Sequence, residues 1–399
     1  MAAHGTTRSV RYRRVRLSTL RTDWNRGVVM RPRLLHVFPT FGIGGMQTQF
    51  ATVANALGGE FEHVVVSLDG RSECRAKLAI GTPCTMASAP AGTSRGLSHA
   101  PSILSFLRGQ SPHLVVTYNW GAVEWCLVNR LLGPAPGIHC EHGFGVDEAR
   151  RPHLRRSLFR RLALGGSTPL VVPSATLEAL ALRHWGVRPG QVRHIPNGID
   201  LDLMARRAAT AHPPFTRRPD AFVVGTVAPL RPEKSLDRLL RAFAAAAAED
   251  PRWRLVLAGD GPERARLEGI AHQLAIRDRV TFLGSLDEPA PALALFDVFA
   301  LTSETEQMPY SVLEAMALAK PVVATDVGDV AAMVAPENRP MVRAVQDEAG
   351  LAQSLRRLAD DPGLRGSLGE ANRRRCGEAY GEQRMCAAFR TLYAQALRR

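Results

Sequence analysis

Short runs of consecutive apolar residues recur along the chain and alternate with segments whose apolar positions repeat at the helical period. In the first half, residues 33–38, 63–68, 114–118, 138–141 and 170–172 read as strands. Helical patterns follow the glycine-rich turn after Thr40, ending near Gly58, and begin again at about Ala122, Glu148 and Ala175. A second series of strands reads at 221–227, 254–258, 280–284, 298–302 and 322–324, with helical segments from about Asp347 onward. Strands that are apolar throughout are covered on both faces, as in a parallel sheet flanked by helices. The pattern therefore predicts α/β architecture, with two doubly wound domains facing each other across a cleft.

One short helix lies between the strands at 298–301 and 322–324. Pro309 suits its first position, where a missing N–H costs nothing, and Leu313, Met316 and Ala317 supply a buried stripe. Its N-terminus follows a strand's carboxyl end, where open α/β sheets bind ligands and free amides favour an anion such as phosphate. Glu306 precedes this helix and Glu314 lies on its second turn, leaning back toward the same pocket. Carboxylates repel phosphate but accept from hydroxyls, and a nucleotide sugar carries a ribose diol and a hexose diol beside its diphosphate. The plainer reading is an acidic helix start favoured by the macrodipole.

Other candidates sit at equivalent places. The loop containing Gly44 and Gly45 opens a helix after the first strand and lets the backbone approach a phosphate or sugar. Gln47 stands where a dinucleotide fingerprint needs its third glycine, which argues against a dehydrogenase. Arg231 and Lys234 follow the strand at 221–227, where cations can neutralise a departing diphosphate. His142 ends the strand at 138–141. The next helix holds Arg150, Arg151, Arg155, Arg156, Arg160 and Arg161 with Leu154, Leu158 and Leu162 at successive turns. It reads either as a solvated face with leucines packed on the sheet or as a surface for anionic lipid. Asp200 and Asp202 spell a metal-like pair, but the Asn-Gly turn before them favours a helix cap.

Composition narrows the setting. A chain of 399 residues, 45% hydrophobic, is expected to form two cores. No apolar run approaches the roughly 20 residues that span a bilayer. Six scattered cysteines without Cys-x-x-Cys spacing imply reduced thiols in a cytoplasmic protein. The net charge of +14 is uneven: residues 1–30 hold seven arginines against Asp23 and lack the apolar core of a secretory signal. They read as a disordered basic arm, a tether, or an upstream extension with Met30 as the start, and the fold is expected from about Arg31. Arginines without interleaved aromatics give no reason to expect a nucleic-acid partner.

Glu306 and Glu314 with seven residues between them, then Ala-Met-Ala and the run from Pro321 to Gly328, resemble the signature of the family-four retaining glycosyltransferases, whose fold is GT-B. The Glu-Gln-Met-Pro-x-Ser-Val-Leu-Glu variant is similar to an exopolysaccharide-associated bacterial subgroup. The resemblance implies a first domain over 31–205, a linker over 206–219, a nucleotide-sugar domain over 220–380, and a final helix over 381–399 returning to the first domain. It implies hexose transfer from a nucleoside-diphosphate sugar to a sugar or lipid-linked acceptor, with no metal or other cofactor; peripheral contact at an anionic membrane is the second reading of the basic helix above. His142, Glu306 and Lys234 take the catalytic places. Gly44, Gly45, Arg231, Gly259, Leu283, Gln307, Met308, Pro309, Tyr310, Ser311 and Glu314 join Lys234 around the donor. One position departs from the family: Pro229 stands where an arginine is usual. A non-catalytic sugar-nucleotide-binding subunit is the rival this departure supports.

Overall fold

The computed structural model describes residues 31–90, 97–143, 153–166, 168–210, 214–247 and 250–398. The basic arm expected over 1–30 and the helix start expected near Glu148 lie outside the described residues. The first half runs β1 (Arg33–Phe38), α1 (Gly45–Leu57), β2 (Glu62–Ser67), β3 (Cys84–Ser88), α2 (Ala100–Gln110), β4 (Leu114–Tyr118), α3 (Val123–Leu132), β5 (Gly137–Cys140), α4 (Leu154–Ala163), β6 (Leu170–Val172), α5 (Ala175–His184) and β7 (Val192–His194). After α6 (Leu201–Thr210) the second half runs β8 (Phe222–Val227), α7 (Leu236–Ala247), β9 (Trp253–Ala258), α8 (Arg264–Gln273), β10 (Val280–Gly284), α9 (Ala290–Ala294), β11 (Val298–Leu301), α10 (Tyr310–Ala317), β12 (Val322–Thr325), α11 (Val330–Met333), β13 (Val342–Arg343), α12 (Glu348–Asp360), α13 (Pro362–Ala379) and α14 (Glu382–Leu397).

Both sheets are parallel. The first has the order β3-β2-β1-β4-β5-β6-β7 and the second β10-β9-β8-β11-β12-β13. The order reverses between β1 and β4 and again between β8 and β11. In a doubly wound sheet these switch points open crevices at the strands' carboxyl ends. The architecture is two Rossmann-like domains, as the alternating pattern predicts, and it is the GT-B fold that the resemblance implies. Central strands such as β4 and β11 are buried at every residue, which accounts for their uninterrupted apolar sequence.

Three edge strands escape the pattern. Every residue of β3 is partly or fully exposed, β7 buries only Val192, and β13 is two residues long, so none offers a run of buried side chains. Residues 206–210, expected as the start of the linker, continue α6 instead. Asp200 caps that helix by accepting the Leu203 N–H at 2.9 Å, and Met204 anchors it in the second core. The capping role read for Asp200 is thus met.

The helix α14 lies against the first sheet. Met385, Phe389, Leu392 and Tyr393 join Leu34, Phe38, Phe50 and Phe61 in one cluster. Beneath it runs a buried polar row: the His36 ring is 3.1 Å from the Tyr118 hydroxyl and 3.0 Å from the His63 ring. Among the described residues no helix is long and apolar enough to cross a membrane.

Candidate active site

The exit turns of β8, β9 and β11 stack on one another. Leu230 is fully buried and fixes the turn after β8, and its N–H donates to Asp260 O at 2.9 Å. Gly259, at φ +150°, passes so near Ala228 that a Cβ would lie 1.9 Å from the Ala228 carbonyl oxygen. Only glycine fits that approach. Gly259 also donates its N–H to Gly284 O at 2.8 Å, which sets Leu283 at the same rim.

Lys234 follows in a 3-10 turn whose carbonyl accepts from the Thr302 hydroxyl at 3.3 Å. Its ammonium meets Glu306 Oε1 at 2.5 Å, and the Ser303 hydroxyl donates to the same oxygen at 2.7 Å. The structure therefore joins two residues that the sequence offers separately. Both side chains are largely enclosed, at 18% and 12% exposure, so their attraction is less screened than at the surface. Arg231 and Pro229 are exposed on this turn, and no ion pair engages Arg231 among the described residues. Arg238, which sequence reasoning missed, braces the loop by donating to Thr302 O at 2.7 Å and pairing with Glu304.

The short helix begins one residue later than expected. Pro309 has φ −70° and ψ 128°, an extended conformation, so it is the N-cap and Tyr310 the first helical residue. Gly45, the first residue of α1, faces Tyr310 closely enough that a Cβ would meet its ring at 3.3 Å. Two helix N-termini thus approach one another across the cleft, with Gly44 extended just before and Ser311 just after. Gln47 folds back to donate to Thr40 O at 2.8 Å, stabilising the glycine turn from within.

Glu314 on the second turn of α10 answers to other neighbours than Glu306. Burial pushes its carboxyl up to about 7, opposed by Lys77 and Arg207 and assisted by Glu288.

Gln307 and Met308 hold the two domains together. The Ser174 hydroxyl donates to Gln307 Oε1 at 2.8 Å, and Asn197 donates its side-chain amide to Met308 O at 2.7 Å. Gln49 in turn donates to Asn197 Oδ1 at 2.8 Å. Beside these, the N-terminus of α5 closes on Asp329, whose carboxylate accepts from Ala175 N at 2.7 Å, Thr176 N at 3.0 Å and the Thr176 hydroxyl at 2.7 Å. Of these, the sequence singles out Asn197 alone, as part of the Asn-Gly turn, and assigns Ser174 and Asp329 no role.

His142 stands at the end of β5, its N–H donating to Asn119 Oδ1 at 2.7 Å. The next residue, Gly143, lies where a Cβ would be 3.2 Å from Gln307 Cγ, so this turn abuts the loop that carries Glu306. The ring's Nε2 is enclosed without a hydrogen bond, and burial pushes its pKa down to about 4, making it neutral near pH 7. Behind it, Arg160 is fully buried, 3.2 Å from Glu141 and 4.9 and 4.4 Å from the Trp120 and Trp185 rings. This corrects the reading of α4 as a solvated basic face: one of its arginines belongs to the core. Burial alone would raise the Glu141 pKa, and Arg160 and His139 together hold it low. Among the described residues, no group of three or more His, Cys, Asp or Glu is arranged to hold a metal.

Two family models match the chain: "Glycosyltransferase Family 4" over residues 43–203 and "Glycosyl transferases group 1" over residues 209–375. The D-inositol 3-phosphate glycosyltransferase 2 of Catenulispora acidiphila is 30% identical over 310 residues, which cover 71% of each chain. The lipopolysaccharide core biosynthesis glycosyltransferase LpsD of Rhizobium meliloti is 30% identical over 210 residues, 51% of this chain and 60% of that one. The chain spans about half the length of several curated relatives it matches. Among solved structures, HepE of Anabaena in complex with UDP and glucose shares the fold with a TM-score of 0.77 at 17% identity, covering 92% of this chain and 100% of that one.

Proposed function

Because this chain belongs to the family-four glycosyltransferases, we propose that it moves a hexose from a nucleoside-diphosphate sugar to a sugar or lipid-linked acceptor, retaining configuration at the anomeric carbon. The product on this reading is an exopolysaccharide or another cell-surface glycan, assembled at the cytoplasmic face of a membrane. The observation that carries it is the Lys234–Glu306 pair, held at a switch point beside the N-terminus of α10 and across from the glycine turn of α1.

In this reading the donor diphosphate lies between the two helix N-termini. The amides of Tyr310 and Ser311, with that of Met308, meet its oxygens, and Lys234 stabilises the charge that develops as it leaves. Gly44 and Gly45 admit the diphosphate or acceptor from the other wall. Glu306 accepts from hexose hydroxyls and Glu314 from the ribose, while the backbone near Gly259 and Leu283 borders the base. His142, neutral, offers a hydrogen bond to the sugar. The leaving phosphate oxygen takes the acceptor proton as the new glycosidic bond forms, so no strong side-chain base is needed. Gln307 and Met308 act through the domain contact, Gln307 by its side-chain amide with Ser174 and Met308 by its carbonyl with Asn197.

Titration calorimetry with UDP, GDP, ADP and dTDP, on the protein and on Glu314→Ala, tests this. Binding of one nucleotide, weakened by the substitution, is the expected result. The presence of UDP and glucose in the HepE structure makes UDP the first to try. Pro229, exposed where the family usually has an arginine, favours the second reading, a subunit that binds sugar nucleotide without turnover. Nucleotide binding without transfer, with turnover gained in Pro229→Arg, would select it.

A further inference from the structure

The helix α4 turns its leucines to solvent. Leu154, Leu158 and Leu162 are 85%, 61% and 52% exposed, and the residues it buries are Ser157, Arg160 and Ala163. Leu131 and Leu132, ending α3, are 60% and 56% exposed. The two helices pack side by side. The Cys126 thiol of α3 donates to Ala163 O of α4 at 3.6 Å, and the Arg130 guanidinium lies 3.4 Å from the Cβ position of Gly165. Five large apolar side chains thus stand exposed on two neighbouring helices, and exposed apolar groups of this kind mark interaction sites. Arg130, Arg155 and Arg161 border them, all exposed and none in an ion pair among the described residues, and α4 itself carries no acid.

We propose that this face docks on an anionic membrane, the leucines entering the headgroup boundary and the arginines meeting lipid phosphates. The use of such docking rests on the reading of a lipid-linked acceptor: α4 follows β5 and His142 in the chain, so the helix starts from the carboxyl end of the sheet, the end where that acceptor would arrive. The charge pattern selects this occupant. A second copy packed face to face would oppose arginine to arginine, and residues 1–30, with seven arginines and one acid, would be repelled.

The test is co-sedimentation of the full chain with vesicles of phosphatidylcholine alone or of equal parts phosphatidylcholine and phosphatidylglycerol. Binding to the mixed vesicles only is expected. Combined Leu154→Ser, Leu158→Ser and Leu162→Ser should lower partitioning about tenfold or more. Arg155→Gln with Arg161→Gln should lower it roughly 25-fold, about fivefold for each charge. Melting temperature should not move in either variant, because the substituted side chains are exposed. Equal sedimentation with neutral vesicles, or a leucine variant that partitions like the unaltered chain, overturns the proposal. So does a leucine variant whose only change is a smaller mass by light scattering, since a second copy would then be the occupant. Vesicle binding needs no nucleotide, so a protein that docks but binds no nucleoside diphosphate would sink the transferase reading alone.

Discussion

A carboxylic acid with a pKa of about 7 is half ionised under ordinary assay conditions, and burial puts Glu314 there. Its folded pKa lies above the ordinary value of about 4.3, so the fold binds the proton more tightly than the unfolded chain does. The resulting stabilisation is full below about pH 4.3 and is lost as pH rises through about 7. Glu314→Gln should therefore gain stability relative to the unaltered chain between about pH 5 and pH 8, by up to about 3 kcal/mol. Paired thermal melts across that range measure it, and parallel curves would mean that the carboxyl is ionised and hydrated. If the ionised form grips a ribose, nucleotide binding also releases a proton near neutral pH, visible as a buffer-dependent binding enthalpy. At this scale the sequence offered residue types and left their partners hidden. Lys234 and Glu306 stood out as charges in promising loops, but 72 positions separate them and only the stacked exit turns bring them together. Arg160 looked solvated because Glu141, Trp120 and Trp185, which bury it, lie on other segments.

Among elements, periodicity told which residues share a face and not which way the face points. In α10, Leu313 and Met316 lie inward as read, whereas in α4 the leucine stripe points out. The difference lies in neighbours that no local pattern contains: α4 already has a buried arginine to lodge between two tryptophans. The start of α5 depends equally on a distant segment. Its first amides are satisfied by Asp329 from the other domain, in the manner of an N-cap supplied from outside the helix. Removing that carboxylate in Asp329→Ala should destabilise the protein by about 1–2 kcal/mol. It should also enlarge the radius of gyration in small-angle scattering as the domain contact loosens. Unchanged scattering with lowered stability would confine the role of Asp329 to capping.

For the molecule as a whole, two parallel sheets follow from the alternation of buried strands and helices, and this much was legible, whereas the strand order and the edge strands β3, β7 and β13 were not. The contact between the halves was not, because much of it is made by single polar side chains: Ser174, Thr176, Asn197, Gln307 and Asp329. The seating of α14 on the first sheet adds a dependence on acidity. His63 has its pKa lowered to about 4 by burial, and His36, fully buried, is lowered by burial and by His63. Each is held neutral when folded and gains a proton when unfolded. The stability this contributes is present above about pH 6.5 and is lost as pH falls toward about 4. Melting temperature should fall across that window, and His63→Phe should flatten the fall. The same arrangement constrains the order of events during synthesis. Phe50 and Phe61 leave the ribosome early, whereas Phe389 and Tyr393, which cover the same core, are translated more than three hundred residues later. At about 5–20 residues per second that delay is on the order of tens of seconds. Through it the first sheet waits with one apolar flank open, which makes the nascent chain, more than the finished protein, the form in need of a chaperone.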